Sequence, residues 1–169
     1  MDVDYQDFGE VTTPQLHYLV AQHVKQPKAF DYIENFARAF VTFCELTGKP
    51  KPGYEPQFVL DCANGVGFFT FTGVLNFVSQ YLKPSLINTR VETKKLVNHE
   101  CGAEFVQKDI QYPTEYDLNS SPTKGCSFDG DADRLIYFRK GTGKNERVDV
   151  IDGDKQFALI MMYVRELLE

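Results

Sequence analysis

Residues 127–134 read Ser-Phe-Asp-Gly-Asp-Ala-Asp-Arg and lie between two apolar runs, a pattern that predicts a tight loop joining two β-strands. Asp129, Asp131 and Asp133 alternate with small residues, and alternate residues of an extended segment point the same way. If the loop curls, the three carboxylates converge on one point, where a cation would offset their repulsion. A hard divalent ion with oxygen ligands suits such a site, and Mg²⁺ is usual where phosphate adds a further ligand.

Three other interpretations compete for this acidic motif. A solvated turn would explain a bare pair of aspartates, but it explains the third Asp and Arg134 less well. An EF-hand loop is excluded, because its sixth and twelfth positions require Gly and Glu where this chain has Arg134 and Lys140. A phosphatase-like hydrolase would use an aspartate as nucleophile but typically carries its motif after the first strand, and trapping a phosphoenzyme on an aspartate would identify it.

Bulk composition limits the class of protein. A chain of 169 residues suits one domain, or one domain with a piece of another. The net charge of −6 argues against a nucleic-acid partner, since no basic excess is present to neutralise phosphates. Four widely spaced cysteines indicate reduced thiols rather than a zinc site or a disulfide scaffold. With no signal peptide and no bilayer-length apolar run, we expect a cytosolic protein without a membrane partner.

Apolar periodicity and turn residues predict alternating helices and strands. In the first half of the chain we expect a helix after Thr13 as N-cap, a helix at 31–47 ended by Gly48, a linker at 49–53, a strand at 57–61 and a helix from 67 to about 82. A strand at 85–91, a short helix at 94–100, a strand at 103–106 and a surface loop at 108–123 follow. The last part should contain strands at 125–128, 135–138 and 147–151, with a hairpin tip at 141–144, and a final helix capped by Asp152.

These elements predict an α/β fold, a layered α/β/α domain with a mixed sheet. The acidic loop would then lie at the carboxyl end of its strand, where open α/β sheets usually place ligands. Gly65 and Gly67 indicate a tight turn between a strand and a helix. A dinucleotide site is disfavoured, because Thr70 occupies the position of the third glycine in that fingerprint.

The loop at 127–134 resembles the metal-binding loop of the α-D-phosphohexomutases, and four other segments resemble the phosphoacetylglucosamine mutase family. They are Val-Thr-Thr-Pro-Gln-Leu-His-Tyr at 11–18, Asp-Cys-Ala-Asn-Gly-Val-Gly at 61–67, Asn-His-Glu-Cys-Gly-Ala-Glu-Phe-Val at 98–106 and Ile-Asp-Gly-Asp-Lys at 151–155. The resemblance implies that Asp129, Asp131 and Asp133 hold Mg²⁺ and that Arg134 contacts a phosphate. The alternative for Arg134 is a surface salt bridge to a nearby Asp.

Enzymes of this family are isomerases that interconvert N-acetylglucosamine 6-phosphate and N-acetylglucosamine 1-phosphate through a phosphoserine, a step in UDP-N-acetylglucosamine biosynthesis. The resemblance therefore implies a hexosamine phosphate substrate in the full-length enzyme. It also implies that residues 1–26 end the phosphoserine domain and that residues 27–169 form the metal-binding α/β domain.

The sequence contains no Thr-Ala-Ser-His-Asn-Pro segment to carry the phosphoserine. We therefore expect a fragment that needs the remaining mutase domains and is inactive by itself. The alternative is a non-catalytic metal-binding or partner-docking module derived from such a mutase.

Overall fold

The computed structural model describes Tyr5 and residues 7–23, 31–48, 53–141 and 147–169. Most of the predicted linker at 49–53 and of the hairpin tip at 141–144 lies outside these residues, as does the predicted domain boundary after residue 26. In the described part of the chain, no helix has the length and apolar character needed to cross a membrane.

Helices and strands alternate through most of the described chain. In order, they are α1 (Thr13–His23), α2 (Asp31–Thr47), β1 (Gln57–Asp61), α3 (Gly67–Val78), β2 (Lys83–Ile87), a 3₁₀ turn (Lys94–Leu96), α4 (Gly102–Asp109), β3 (Lys124–Phe128), β4 (Leu135–Lys140), β5 (Val148–Ile151) and α5 (Gly153–Leu168).

The strands form one five-stranded sheet in the order β2-β1-β3-β4-β5. β1 runs parallel to both β2 and β3, whereas β4 is antiparallel to β3 and β5. In this register Asp61 of β1 lies opposite both Ile87 and Ser127, so the carboxyl ends of the three parallel strands meet at one edge. The predicted mixed sheet is confirmed.

Helices cover both faces of the sheet. On one face, α3 packs over Leu60 and Cys126, and α2 lies outside it with Ala37 against Val78. On the other face, α4 packs over Ile136 of β4 and its neighbours on β5. Because successive side chains of a strand point to opposite faces, β4 contributes to both cores. The three layers confirm the predicted α/β/α architecture.

The predicted strand at 103–106 is wrong, because these residues lie in α4. Ala103 and Val106 are both buried, and their three-residue spacing places them on one face of a helix against the sheet. Gly102, with φ of +87°, turns the chain into this helix from extended Cys101.

Several predicted boundaries also move. The short helix at 94–100 is only one 3₁₀ turn, because Asn98 and Glu100 have φ of 58° and 51° and stop the helix. The strand at 85–91 runs instead from Lys83 to Ile87, where Asn88 with φ of 50° ends it. α3 ends at Val78 rather than near residue 82.

Of the two predicted helix N-caps, that of α1 is wrong and that of α5 is confirmed. Thr12, not Thr13, caps α1, since the Thr12 hydroxyl accepts the backbone N–H of Gln15 at 3.2 Å. The predicted cap of α5 is confirmed, because the Asp152 carboxylate accepts the backbone N–H of Lys155 at 3.1 Å.

The loop predicted at 108–123 does not lie wholly on the surface, since Pro113 within it is fully buried.

Candidate metal centre

Residues 129–134, named here the metal loop, connect the carboxyl end of β3 to the start of β4. Asp129, Asp131 and Asp133 each present a carboxylate oxygen, and these oxygens lie within 4.8 Å of one another. The backbone N–H of Ala132 bonds to the carbonyl of Asp129 at 3.1 Å, and Ala132 has φ of +56°, so the loop curls back on itself. The structure therefore brings together all three residues named from the sequence.

Crowding of like charge is the main electrostatic feature of this loop. The pKa of Asp133 is raised, first by the charge of Asp129, then by desolvation and by the charge of Asp131. Asp129 is only 3% exposed, so water cannot screen it fully. Three converging acceptor oxygens that repel one another suit a hard divalent cation, and the residues present fit Mg²⁺. That they hold it remains a prediction.

Arg134, whose side chain is half-exposed, pairs with carboxylates of the metal loop and of α4. Its Nε donates to Asp129 Oδ2 at 2.6 Å, and its backbone N–H donates to Asp129 Oδ1 at 3.2 Å. Both terminal nitrogens are 3.4 Å from Glu104 Oε2 on α4. The structure thus contains the salt bridge that was the alternative for Arg134, and its contact with phosphate remains a prediction. Glu104 was missed because its segment was predicted to be a strand.

The glycine turn at 65–67 packs directly against the metal loop. The backbone N–H of Val66 donates to the carbonyl of Gly130 at 3.0 Å. A Cβ atom on Gly65 would lie 2.2 Å from that carbonyl oxygen, and one on Gly67 would lie 2.9 Å from Ala132 Cβ. Glycine is therefore needed here for the close approach of two backbones.

A buried carboxylate, Asp61, ties together the strand ends beneath the loop. Its Oδ1 accepts from the backbone N–H of Ala63 at 3.0 Å and from Asn88 Nδ2 at 2.9 Å. Its Oδ2 accepts from the backbone N–H of Gly102 at 2.7 Å and from Ser127 Oγ at 2.8 Å. Burial raises the pKa of Asp61, and these hydrogen bonds only partly offset the shift. The sequence signal that was overlooked is an aspartate ending an apolar strand.

The fold and the acidic loop define a domain of the α-D-phosphohexomutase class. A crystal structure of N-acetylglucosamine-phosphate mutase, a member of that superfamily, in its substrate complex superposes on 98% of this chain and 31% of its own, with a TM-score of 0.83 and 28% identity. The crystal structure of Aspergillus fumigatus N-acetylphosphoglucosamine mutase in complex with GlcNAc-6P and magnesium matches 85% of this chain and 29% of its own, with a TM-score of 0.67 and 27% identity.

Sequence comparison identifies the family within that class. A profile of phosphoacetylglucosamine mutase AMG1, domain II, matches residues 23–136, and the chain belongs to this family. Phosphoacetylglucosamine mutases of Oryza sativa subsp. japonica and Homo sapiens are 34% and 33% identical to it over 96% and 97% of its length. The chain spans 29% and 30% of those two relatives. The family resemblance found in the sequence is confirmed.

Proposed function

We propose that this chain supplies the Mg²⁺-binding domain of a mutase that interconverts N-acetylglucosamine 6-phosphate and N-acetylglucosamine 1-phosphate. The observation that carries the proposal is the convergence of Asp129, Asp131 and Asp133 at the carboxyl end of β3, in a chain of this family. The relative from Aspergillus fumigatus is described in complex with GlcNAc-6P and magnesium, which supports both the ion and the substrate class.

The three aspartates would hold Mg²⁺, which when bound stabilises negative charge on a phosphoryl group during transfer. The protein's own contribution is to keep the carboxylates converged before the ion arrives. The glycine turn does this through the bond from the Val66 N–H to the carbonyl of Gly130, and the buried Asp61 does it through its bond with Ser127. A preorganised site binds and stabilises charge without having to rearrange during the reaction.

Arg134 would contact the phosphate through its terminal nitrogens. Its Nε is held at 2.6 Å by Asp129, whereas Glu104 lies 3.4 Å from the terminal nitrogens. Glu104 is itself shared with Lys108, with which it forms a second ion pair. A phosphate can therefore replace Glu104 as the partner of the two nitrogens, forming the bidentate pair that a guanidinium favours.

The other parts of the reaction would come from the remaining mutase domains. These 169 residues contain no Thr-Ala-Ser-His-Asn-Pro segment, so we place the phosphoserine and the recognition of the hexosamine phosphate on those domains. We assign residues 1–26 to the preceding domain and residues 27–169 to the metal-binding domain. Three buried free thiols, Cys62, Cys101 and Cys126, support a cytosolic location for this amino-sugar enzyme.

Calorimetric titration of the chain with Mg²⁺ tests the proposal. We expect weak binding, because three carboxylates and water are the available ligands and Mg²⁺ sheds water reluctantly. Asp131→Asn should abolish this binding. Asp149→Asn is the matched control, since Asp149 forms an exposed ion pair with Arg139 on β4, outside the metal loop. Binding that is unchanged in Asp131→Asn would reject the metal assignment, and with it the role of this domain in the mutase.

A further inference from the structure

Thr13 contacts the metal loop from a position 118 residues earlier in the chain. Its backbone N–H donates to the carbonyl oxygen of Asp131 at 3.0 Å. Its hydroxyl donates to Oδ2 of the same aspartate at 2.5 Å. One residue at the start of α1 thus holds both the backbone and the carboxylate of a candidate metal ligand.

Capping of α1 does not account for the Thr13 hydroxyl. The cap is formed by Thr12, whose side chain is buried and accepts the backbone N–H of Gln15. A helix needs one such side-chain cap at its first turn, and a second hydroxyl there is free to act elsewhere. The bond from Thr13 to Asp131 is therefore additional to what α1 requires.

A hydroxyl bonded to one carboxylate oxygen has a direct consequence for metal binding. It restrains the rotation of the Asp131 carboxylate and so restricts the directions in which its oxygens can face a cation. Partners that orient a metal ligand in this way typically change metal affinity by about 10- to 100-fold when they are removed. Asp131 itself is exposed, so without Thr13 its side chain would sample several rotamers.

We propose that Thr13 is a positioning residue that sets the Asp131 carboxylate for Mg²⁺ and couples the start of α1 to occupancy of the metal loop. This inference rests on the proposed metal-binding function. Coupling between two sites is reciprocal in free energy. If the Thr13 bonds favour the ion, then the ion favours those bonds, and Mg²⁺ must slow hydrogen exchange at the Thr13 backbone amide.

The test compares Thr13→Val with the conservative Thr13→Ser and with a matched control. Thr72→Val removes a hydroxyl that bonds within α3, to the carbonyl of Phe68 at 2.7 Å. We expect Thr13→Val to weaken Mg²⁺ binding about 10- to 100-fold in calorimetry, Thr13→Ser to restore it to within about threefold, and Thr72→Val to leave it unchanged. In NMR hydrogen exchange at one fixed Mg²⁺ concentration, Mg²⁺ should protect the amide of residue 13 in the wild type and in Thr13→Ser, and protect it much less in Thr13→Val.

The outcomes separate this inference from the metal assignment. Loss of binding in Asp131→Asn together with wild-type affinity in Thr13→Val would overturn the role of Thr13 and leave the metal site intact. Unchanged binding in both variants would overturn both proposals. If Thr13→Val lowers the melting temperature of the metal-free protein well beyond Thr72→Val and Mg²⁺ does not protect the residue 13 amide, Thr13 is a structural residue only, and the inference fails.

Discussion

The metal loop and α5 are close in sequence but differ in how the rest of the protein surrounds them. Asp129 and the Asp61 beneath it are 3% and 0% exposed, and contacts reach the loop from α1, the glycine turn and α4. In α5 no residue is buried, and Phe157 and Leu168 are 65% and 82% exposed. The metal loop is held by contacts from several distant segments, whereas α5 meets the sheet mainly at its first turn, where Gln156 Nε2 donates to the carbonyl of Leu135 at 3.0 Å.

The difference shows what each kind of sequence signal can specify. α5 is predicted from local features, namely the Asp152 cap and apolar residues at helical spacing, and those features act whether or not the helix is covered. Residues 157–164 of α5 are apolar throughout, which is typical of a covered helix, so the sequence of α5 does not predict its exposure. The geometry of the metal loop depends on the close approach of its backbone to the glycine turn at 65–67. The local sequence of the metal loop does not predict this contact.

Replacing a glycine that packs against the metal loop and a glycine of α5 by alanine should give the largest contrast in stability. Gly65→Ala places a Cβ atom 2.2 Å from the carbonyl oxygen of Gly130, and backbone atoms cannot yield as a side chain can. We expect a loss of about 3 kcal/mol in the free energy of unfolding, measured by urea denaturation. Gly153→Ala at the start of α5 meets nothing within 4 Å and should instead stabilise by about 0.5 kcal/mol. Equal changes in the free energy of unfolding in the two variants would show that the metal loop and α5 do not differ in how tightly they are packed.

Asp61→Asn should have the next largest effect. An amide accepts only through its oxygen, so whichever way the Asn side chain is oriented, one buried backbone N–H, that of Ala63 or that of Gly102, faces the amide nitrogen and loses its acceptor. An unsatisfied buried donor costs about 1–3 kcal/mol, and we expect about 2 kcal/mol in the same assay. Asp149→Asn, in an exposed ion pair with Arg139, should cost less than about 1 kcal/mol. A loss in Asp61→Asn no larger than in this control would show that the network beneath the loop is not stabilising.

In the metal-free protein, Asp133→Ala should not lower stability, in contrast to Gly65→Ala and Asp61→Asn. The pKa of Asp133 is raised chiefly by the charge of Asp129, so removing the carboxylate relieves repulsion. We expect the fold to persist and the melting temperature without metal to stay the same or rise slightly, as followed by circular dichroism. A large fall in melting temperature would mean that the aspartates are structural.

Ile160→Gln on α5 should change stability least. Ile160 is 58% exposed, and surface substitutions of this kind usually stay within about 0.5 kcal/mol. Leu60→Ala, at a residue 1% exposed beneath α3, should cost about 2–5 kcal/mol and shows the response of a core position. If Ile160→Gln destabilises the chain as much as Leu60→Ala, then α5 is covered in solution, and the contrast with the metal loop is smaller than the structure indicates.

The sequence by itself determined the features that depend on neighbouring residues. Periodicity located α2 and the strand at 57–61, and the cap predicted at Asp152 is present. The alternating aspartates identified the candidate metal ligands, and the surrounding segments identified the family. These signals suffice because residue spacing and side-chain capping act over a few residues.

Only the tertiary structure decided how distant segments share one site. It made 102–109 a helix, because packing on the sheet outweighed the strand-like appearance of 103–106. It turned the hydroxyl of Thr13 from the expected cap to Asp131, and it brought Glu104 of α4 to the guanidinium of Arg134. Each of these contacts depends on where strands and helices lie in space, since the partners from other segments are brought together by the folded sheet and not by their spacing in the chain.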